Sequence, residues 1–183
     1  MTSKIARLAA AGLAALGLMA VVPSTAGAVE SGVLATYNGN TIDLAQGWEG
    51  ATVCAQTDGG VHCYDDDAAY RTATNLPASQ DGGLGTASVD DCPPLWKCLW
   101  DNRNYSGRRL QWRDPGDFGL AQYGFRNRAN SAANRKVQGG FHLWDVDPVW
   151  DKVIHVPGSS GIPDLGAYPS GNWNNKVDAV VVR

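Results

Sequence analysis

The stretch that decides the fold is residues 92–134, CPPLWKCLWDNRNYSGRRLQWRDPGDFGLAQYGFRNRANSAAN. It places Trp100, Tyr105 and Gly107 at the spacing of a strand that enters a tight hairpin. The two rings can stack across the turn, while glycine accepts a positive φ that a Cβ opposes. Residues 109–113 then alternate polar and apolar side chains, which predicts a strand with one buried face. We therefore predict a four-stranded Greek-key unit.

A second unit follows at residues 140–183 with lower fidelity. Phe141, Leu143 and Trp144 repeat the opening strand, and residues 172–182 parallel residues 124–132. Two such units bury against each other what each would leave exposed alone. The duplication predicts an all-β double Greek-key sandwich over residues 92–183.

The same residues carry a family resemblance. The Cys-x5-Cys before the first aromatic, the Asn-Tyr-x-Gly-Arg after it and the later Tyr-Gly-Phe resemble secreted actinobacterial metalloproteinase inhibitors, peptidase inhibitor family thirty-six, which have a βγ-crystallin-like fold. The matching residues are Cys92, Pro93, Cys98, Leu99, Trp100, Asn104, Tyr105, Gly107, Arg108, Tyr123, Gly124 and Phe125. The resemblance implies a non-enzymatic protein that binds an extracellular peptidase.

The segment before the Greek keys predicts a small acidic, hairpin-rich module at residues 29–75. Asn38-Gly39 favours a type I′ turn between two short strands, and a second hairpin turns at residues 58–60. The acids at residues 65–67 favour the start of a short helix, because they lack the glycine and distal glutamate of a calcium loop. Residues 76–91, rich in Gly, Ser, Ala and Asp, predict a linker.

Charge divides the chain at this linker. Residues 29–91 hold ten acids against one arginine, a net of −9, whereas residues 92–183 hold twelve bases against eight acids, a net of +4. Two interpretations follow: the two parts present separate solvated surfaces, or the acidic segment docks on the basic Greek key and masks it.

Residues 1–28 predict a secretory signal peptide, because Lys4 and Arg7 precede an apolar run that ends in small residues. We therefore expect a secreted, extracellular protein that starts near Val29 and keeps no membrane span after processing.

An even cysteine count suits such a protein. Local spacing favours disulfides Cys54–Cys63 and Cys92–Cys98, although four cysteines permit three connectivities.

If the protein is an inhibitor, the segment between Cys92 and Cys98 is the best candidate for the part that binds the peptidase. Leu95, Trp96 and Lys97 form the predicted inhibitory loop, since a stapled turn loses little entropy on binding. The apolar side chains suit the hydrophobic pocket of a thermolysin-like metallopeptidase. The alternative is that Trp96 caps the core.

A calcium site is the second candidate. The crystallin-type motif uses Asn, Asp and Ser oxygens from both repeats around a hard cation. The first repeat contributes Asn127, Asn130 and Ser131, and the second contributes Asn174, Asn175 and Asp178. Because the guanidinium of Arg126 opposes a cation there, we expect no required cofactor and at most one weak calcium ion. The alternative function is therefore a calcium-binding module that binds a cell surface or glycan, or an antimicrobial toxin-like protein.

Enzymatic motifs are absent from the sequence. It contains no His-Glu-x-x-His and no Gly-x-Ser-x-Gly, and its three histidines are scattered along the chain. We predict a non-enzyme and a monomer, with no specific nucleic-acid partner. A surface of clustered tryptophans and arginines could bind a cell-wall polymer, which is a further candidate partner. The alternation of polar and apolar residues along the strands, however, predicts that most of these tryptophans lie in the core. The clustered residues are Trp96, Trp100, Trp112, Trp144, Trp150, Trp173, Arg108, Arg109, Arg113, Arg126, Arg128, Arg135 and Lys136.

Overall fold

A computed structural model of the protein describes residues 31–78 and 87–183. The predicted signal peptide and the middle of the predicted linker lie outside these ranges. The strands are β1 Leu34–Tyr37, β2 Asn40–Asp43, β3 Val53–Thr57, β4 Gly60–Tyr64, β5 Lys97–Trp100, β6 Arg109–Trp112, β7 Gly116–Gly119, β8 Ser131–Asn134, β9 Phe141–Asp145, β10 Lys152–His155, β11 Ser160–Ile162 and β12 Ala179–Val182. An α-helix, α1, covers Asp67–Ala73, and 3-10 helices cover Val89–Asp91, Leu120–Tyr123 and Leu165–Ala167.

The strands form two sheets, and each Greek-key repeat contributes one strand to the sheet of the other repeat. The order is β11-β8-β5-β6-β3-β4-β1-β2 in the larger sheet and β10-β9-β12-β7 in the smaller. The first repeat contributes β5 to β8 and the second β9 to β12, but each third strand, β7 or β11, pairs in the sheet of the other repeat. This exchange confirms the predicted double Greek-key sandwich, because neither repeat completes its sheet without the other.

The predicted hairpin turn of the first repeat is present. Trp100 and Tyr105 meet edge to face with ring centroids 5.3 Å apart. Gly107 has φ +80°, and a Cβ there would lie 2.2 Å from Asp101 Oδ1. Glycine is therefore required by both backbone conformation and space.

The N-terminal hairpins extend the larger sheet. β1 pairs with β2 and β3 pairs with β4, as the turn residues predict, and β3 then runs parallel to β6 with Val53 opposite Arg109. One sheet thus spans the predicted module and the Greek keys. Whether either part folds alone is a separate matter, so the domain division stays a prediction.

The main core lies between the two sheets and includes N-terminal residues. Leu99, Leu110, Trp112 and Phe141 are completely buried there, as is Leu44. The alternation predicted for residues 109–113 therefore sends Leu110 and Trp112 inward.

A second cluster lies on the opposite face of the larger sheet, under α1. It contains Tyr70 of the helix together with Val53, Trp96 and Trp100. The helix begins where the acids predict, because the Asp66 side chain accepts a hydrogen bond from the Ala69 N–H at 2.8 Å. Both faces of the larger sheet are covered at β6, which buries all four of its residues. The expectation that the polar face of residues 109–113 is solvent-exposed is therefore wrong within β6, because α1 and the residues around it cover that face.

The predicted linker is ordered at its C-terminal end. Val89–Asp91 form a 3-10 helix, and Ser88 and Asp91 cap it reciprocally. Arg71 Nη2 donates to the Asp90 carbonyl at 2.9 Å and Arg109 Nη1 to the Asp91 carbonyl at 2.5 Å. These buried guanidinium groups hold the turn in place, a long-range effect that the Gly- and Ser-rich composition does not predict.

Both predicted disulfides, Cys54–Cys63 and Cys92–Cys98, are formed. They are compatible with an oxidising, extracellular environment. Across residues 31–78 and 87–183, no helix is both long enough and apolar enough to span a membrane.

Candidate functional site

The segment closed by Cys92–Cys98 presents an exposed leucine on a fixed backbone. Leu95 is 54% exposed and has φ +71°. Its N–H donates to the Arg135 carbonyl at 3.2 Å, and the Arg135 N–H donates to the Trp96 carbonyl at 2.9 Å. The disulfide and these two hydrogen bonds hold the tip of the segment against the strand that leaves β8.

Trp96 and Lys97 do not share this exposure, so the predicted loop is not one continuous surface. Trp96 is 8% exposed and packs edge to face on Tyr70, with centroids 6.3 Å apart. The alternative, that Trp96 caps the core, is the arrangement found. The reason is that α1 covers this face of the sheet, a contact that the local sequence does not reveal.

Lys97 is completely buried at the start of β5. Its Nζ donates to the Arg183 carbonyl at 2.7 Å. Burial, and secondarily the charge of Lys136, lower the pKa of the Lys97 ammonium to about 8. Lys97 thus links β5 to the chain after β12 instead of facing a partner.

The six candidate calcium ligands meet only in part. Asn130 Nδ2 donates to Asn175 Oδ1 at 2.9 Å, which joins the two repeats. Asn127, with its amide oriented to suit its neighbours, donates to Asp178 Oδ1 at 3.3 Å. Ser131 instead donates to the Asn102 carbonyl at 2.7 Å. The Asn174 Oδ1 is buried and has no hydrogen-bond partner among residues 31–78 and 87–183.

Arg126 stands where the crystallin-type motif has its first Asn or Asp, so a guanidinium lies at the candidate site instead of an oxygen ligand. Its Nε pairs with Asp178 Oδ1, while Asp178 Oδ2 accepts from the Val146 N–H at 2.8 Å. Both carboxylate oxygens of the one acid in the set are therefore engaged. Since a guanidinium repels Ca²⁺ and its partner is the ligand that Ca²⁺ would need, the residues present do not fit a calcium ion. Beside them lies a polar cleft of about 370 Å³ lined by Asp101, Asn102, Arg126, Asn127, Arg128 and Asn175.

The acidic segment docks on the basic repeat, as one of the two charge interpretations predicts. Asp67 pairs with Arg109, whose side chain is 2% exposed, and Asp90 pairs with Arg135. Arg108 and Arg126 are also ion-paired, within the Greek keys. The clustered arginines therefore present less free positive charge than the sequence suggests. Those residues of the acidic segment that the structure describes, 31–78 and 87–91, leave Leu95 exposed.

One member of the tryptophan cluster, Trp150, lies in an exposed apolar loop and not in the core. The connection from β9 to β10 carries Val149 at 72% and Trp150 at 78% exposure, whereas Trp48, Trp100 and Trp112 are buried. Alternation cannot find Trp150 because it lies in a turn, where the side-chain period of a strand does not apply.

Two histidines that are distant in sequence also come together. His142 of β9 pairs directly across the sheet with His155 of β10, and the ring centroids are 4.9 Å apart. Positions along the sequence alone do not indicate this contact. Strand register, which depends on the turn between β9 and β10, decides it.

Comparison with known proteins agrees with the predicted family over part of the chain. Residues 85–145 match the model of peptidase inhibitor family I36, a range that covers the first Greek key and β9. No curated protein matches the chain significantly.

Several solved structures are similar at low identity. A βγ-crystallin domain from Clostridium beijerinckii is 17% identical, covering 47% of this chain and 94% of that chain, with a TM-score of 0.37. Spherulin 3A from Physarum polycephalum is 16% identical, with coverages of 55% and 89% and a TM-score of 0.38. A βγ-crystallin from Ciona intestinalis is 15% identical, with coverages of 48% and 99% and a TM-score of 0.36. The fold assignment rests on the strand exchange described above.

Proposed function

From the match of residues 85–145 to peptidase inhibitor family I36, we propose that this protein is a secreted, non-enzymatic inhibitor of an extracellular metallopeptidase. The match carries the proposal, and it includes the whole disulfide-closed segment. Inhibition needs a convex element that enters a substrate cleft and stays intact there.

Pro94 and Leu95 are the residues of this segment that can enter a cleft. Both are exposed, and Leu95 projects from a backbone that a disulfide and two backbone hydrogen bonds already hold. A segment ordered before binding loses less conformational entropy when it binds, so its contacts translate more fully into affinity. Trp96 supports the segment from below by packing on Tyr70.

The side chain of Leu95 suits an apolar pocket. Burying a leucine contributes about 1.5–3 kcal/mol, which corresponds to about 10- to 100-fold in affinity. This makes Leu95, and not Trp96 or Lys97, the residue whose replacement should weaken inhibition without disturbing the core.

The test is inhibition of a thermolysin-like metallopeptidase by the secreted protein and by Leu95→Asn. Asparagine tolerates the positive φ at this position, so the variant removes the apolar contact without straining the backbone. We expect the inhibition constant to rise about 10- to 100-fold, the value of one buried leucine.

The matched control is Leu34→Asn, which changes a second exposed leucine, 64% exposed, on the distant strand β1. It should inhibit like the natural protein. Absence of inhibition by the natural protein at micromolar concentration would refute a metallopeptidase target. Equal effects of the two substitutions would refute the role of Leu95.

A further inference from the structure

His142 and His155 form an imidazole pair on the outer face of the smaller sheet. His142 is partly exposed and His155 exposed, while their strand neighbours Leu143 and Ile154 point into the core. The rings lie 4.9 Å apart between centroids. Within the part of the chain that the structure describes, neither imidazole takes part in a hydrogen bond or ion pair, so their ring nitrogens are available.

We propose that His142 and His155 together bind a divalent transition-metal ion of the Zn²⁺, Ni²⁺ or Cu²⁺ class, with water molecules completing the coordination. Imidazole nitrogen is a preferred ligand for these ions. A metal–nitrogen distance of about 2.0–2.1 Å places two ligand nitrogens of one ion roughly 3 Å apart. The ring centroids are 4.9 Å apart on directly opposed residues, so side-chain rotation is the change that would bring two ring nitrogens to that separation.

The charges around the pair permit such a site. In the register of the sheet, Val181 of β12 lies beside His142, and Asp117 of β7 lies beyond it. Arg183 is the nearby cation, and it pairs with Asp117 at 2.6 Å, which offsets part of its charge. Burial, the neighbouring His155 and Arg183 all lower the pKa of His142.

A bound ion would join β9 to β10, the two strands that carry the exposed Val149 and Trp150 between them. The second repeat has no disulfide, because both described disulfides lie before residue 99. A metal bridge would therefore stabilise the hairpin that lacks a covalent staple. This inference is independent of the peptidase-inhibitor proposal, since it concerns the opposite sheet.

The experiment is calorimetric titration of the untagged secreted protein with Zn²⁺, Ni²⁺ and Cu²⁺ at pH 7.5. We expect one ion per chain for at least one of the three metals. His142→Ala and His155→Ala should each weaken binding about tenfold or more, since loss of even an outer-shell partner of a metal ligand costs 10–100-fold.

The control is His62→Ala, which removes an exposed histidine on β4, in the larger sheet, and should leave binding unchanged. Thermal unfolding without metal checks that each variant is folded. Binding should also weaken at acidic pH, because protons compete with metal ions for imidazole nitrogen in general. The proposal is overturned if the natural protein binds none of the three metals, or binds no better than the double variant. Equal weakening by His62→Ala would overturn it as well.

Discussion

Asp67 joins the N-terminal segment to the Greek keys through Arg109, as Asp90 does through Arg135, and its removal should destabilise the protein. Its carboxylate accepts from Arg71 Nε at 2.5 Å and from Arg109 Nη2 at 2.6 Å. The Arg109 side chain is 2% exposed and lies over the Tyr70 ring, 5.4 Å from its centroid. Burial lowers the pKa of the Arg109 guanidinium, and the adjacent Asp67 opposes that change.

In Asp67→Ala the buried Arg109 loses its counter-charge. Removing one partner of a buried ion pair costs about 3–5 kcal/mol, because the other charge stays buried and uncompensated. Two features place the expected loss of stability at the lower end of this range. Asp67 is 29% exposed, so water can reach the pair, and Arg109 keeps its hydrogen bond to the Asp91 carbonyl. We expect a loss of about 3 kcal/mol and, at about 2–4 °C per kcal/mol for a chain of this size, a fall in Tm of about 6–12 °C.

Urea and thermal unfolding of Asp67→Ala measure this loss. The control is Asp58→Ala, since Asp58 is an exposed acid at a hairpin turn of the same segment. It removes the same charge, and we expect its stability to change by less than about 0.5 kcal/mol. If Asp67→Ala were no less stable than Asp58→Ala, the N-terminal segment would not depend on this ion pair, and the argument from burial would be refuted.

Three further predictions concern other contacts. Lys97→Met should remove a pH dependence of the free energy of unfolding. Between about pH 8 and 10.5 the folded protein has released the Lys97 proton, whereas the unfolded chain keeps it. The stability of the natural protein therefore rises with pH in this range. Urea unfolding gives the free energy of unfolding at pH 7 and at pH 9.5. Its increase between these two pH values should be about 1–2 kcal/mol larger for the natural protein than for Lys97→Met. Equal increases in the two proteins would contradict this prediction. Gly124→Ala should destabilise the protein by about 2 kcal/mol or more, because φ is +60° and the new Cβ would lie 2.3 Å from the Leu44 carbonyl oxygen. An unchanged Tm of this variant would argue against that contact. Millimolar Ca²⁺ should leave the Tm of the natural protein unchanged but raise the Tm of Arg126→Asn, because this substitution frees Asp178 and adds an oxygen ligand. A higher Tm of the natural protein in Ca²⁺ would show that Arg126 does not exclude the ion.

Much of the architecture could be predicted because it is encoded locally. Tight turns need particular residues, so Asn38-Gly39 and Gly107 predict hairpins that the structure contains. Two short cysteine spacings likewise predict the two disulfides. The duplicated motif predicts a pair of Greek keys, since each repeat carries its own strand pattern.

The candidate site was less predictable, because exposure depends on what packs against each side chain. Leu95 and Trp96 are adjacent in sequence, yet α1 covers only Trp96. The pairing of His142 with His155 depends on the register of β9 and β10, and a shift of one residue would have moved both side chains to the other face.

The sequence by itself determined the strands, their turns, the disulfides and the resemblance of residues 85–145 to peptidase inhibitor family I36, because these follow from spacing within a few residues. Only the tertiary structure decided that β3 pairs with β6, that Asp67 neutralises the buried Arg109, and that Arg126 engages Asp178 where a cation would bind. Those contacts join residues 42 to 56 positions apart. Charge and burial at such distances depend on how whole sheets pack, a property that no local pattern contains.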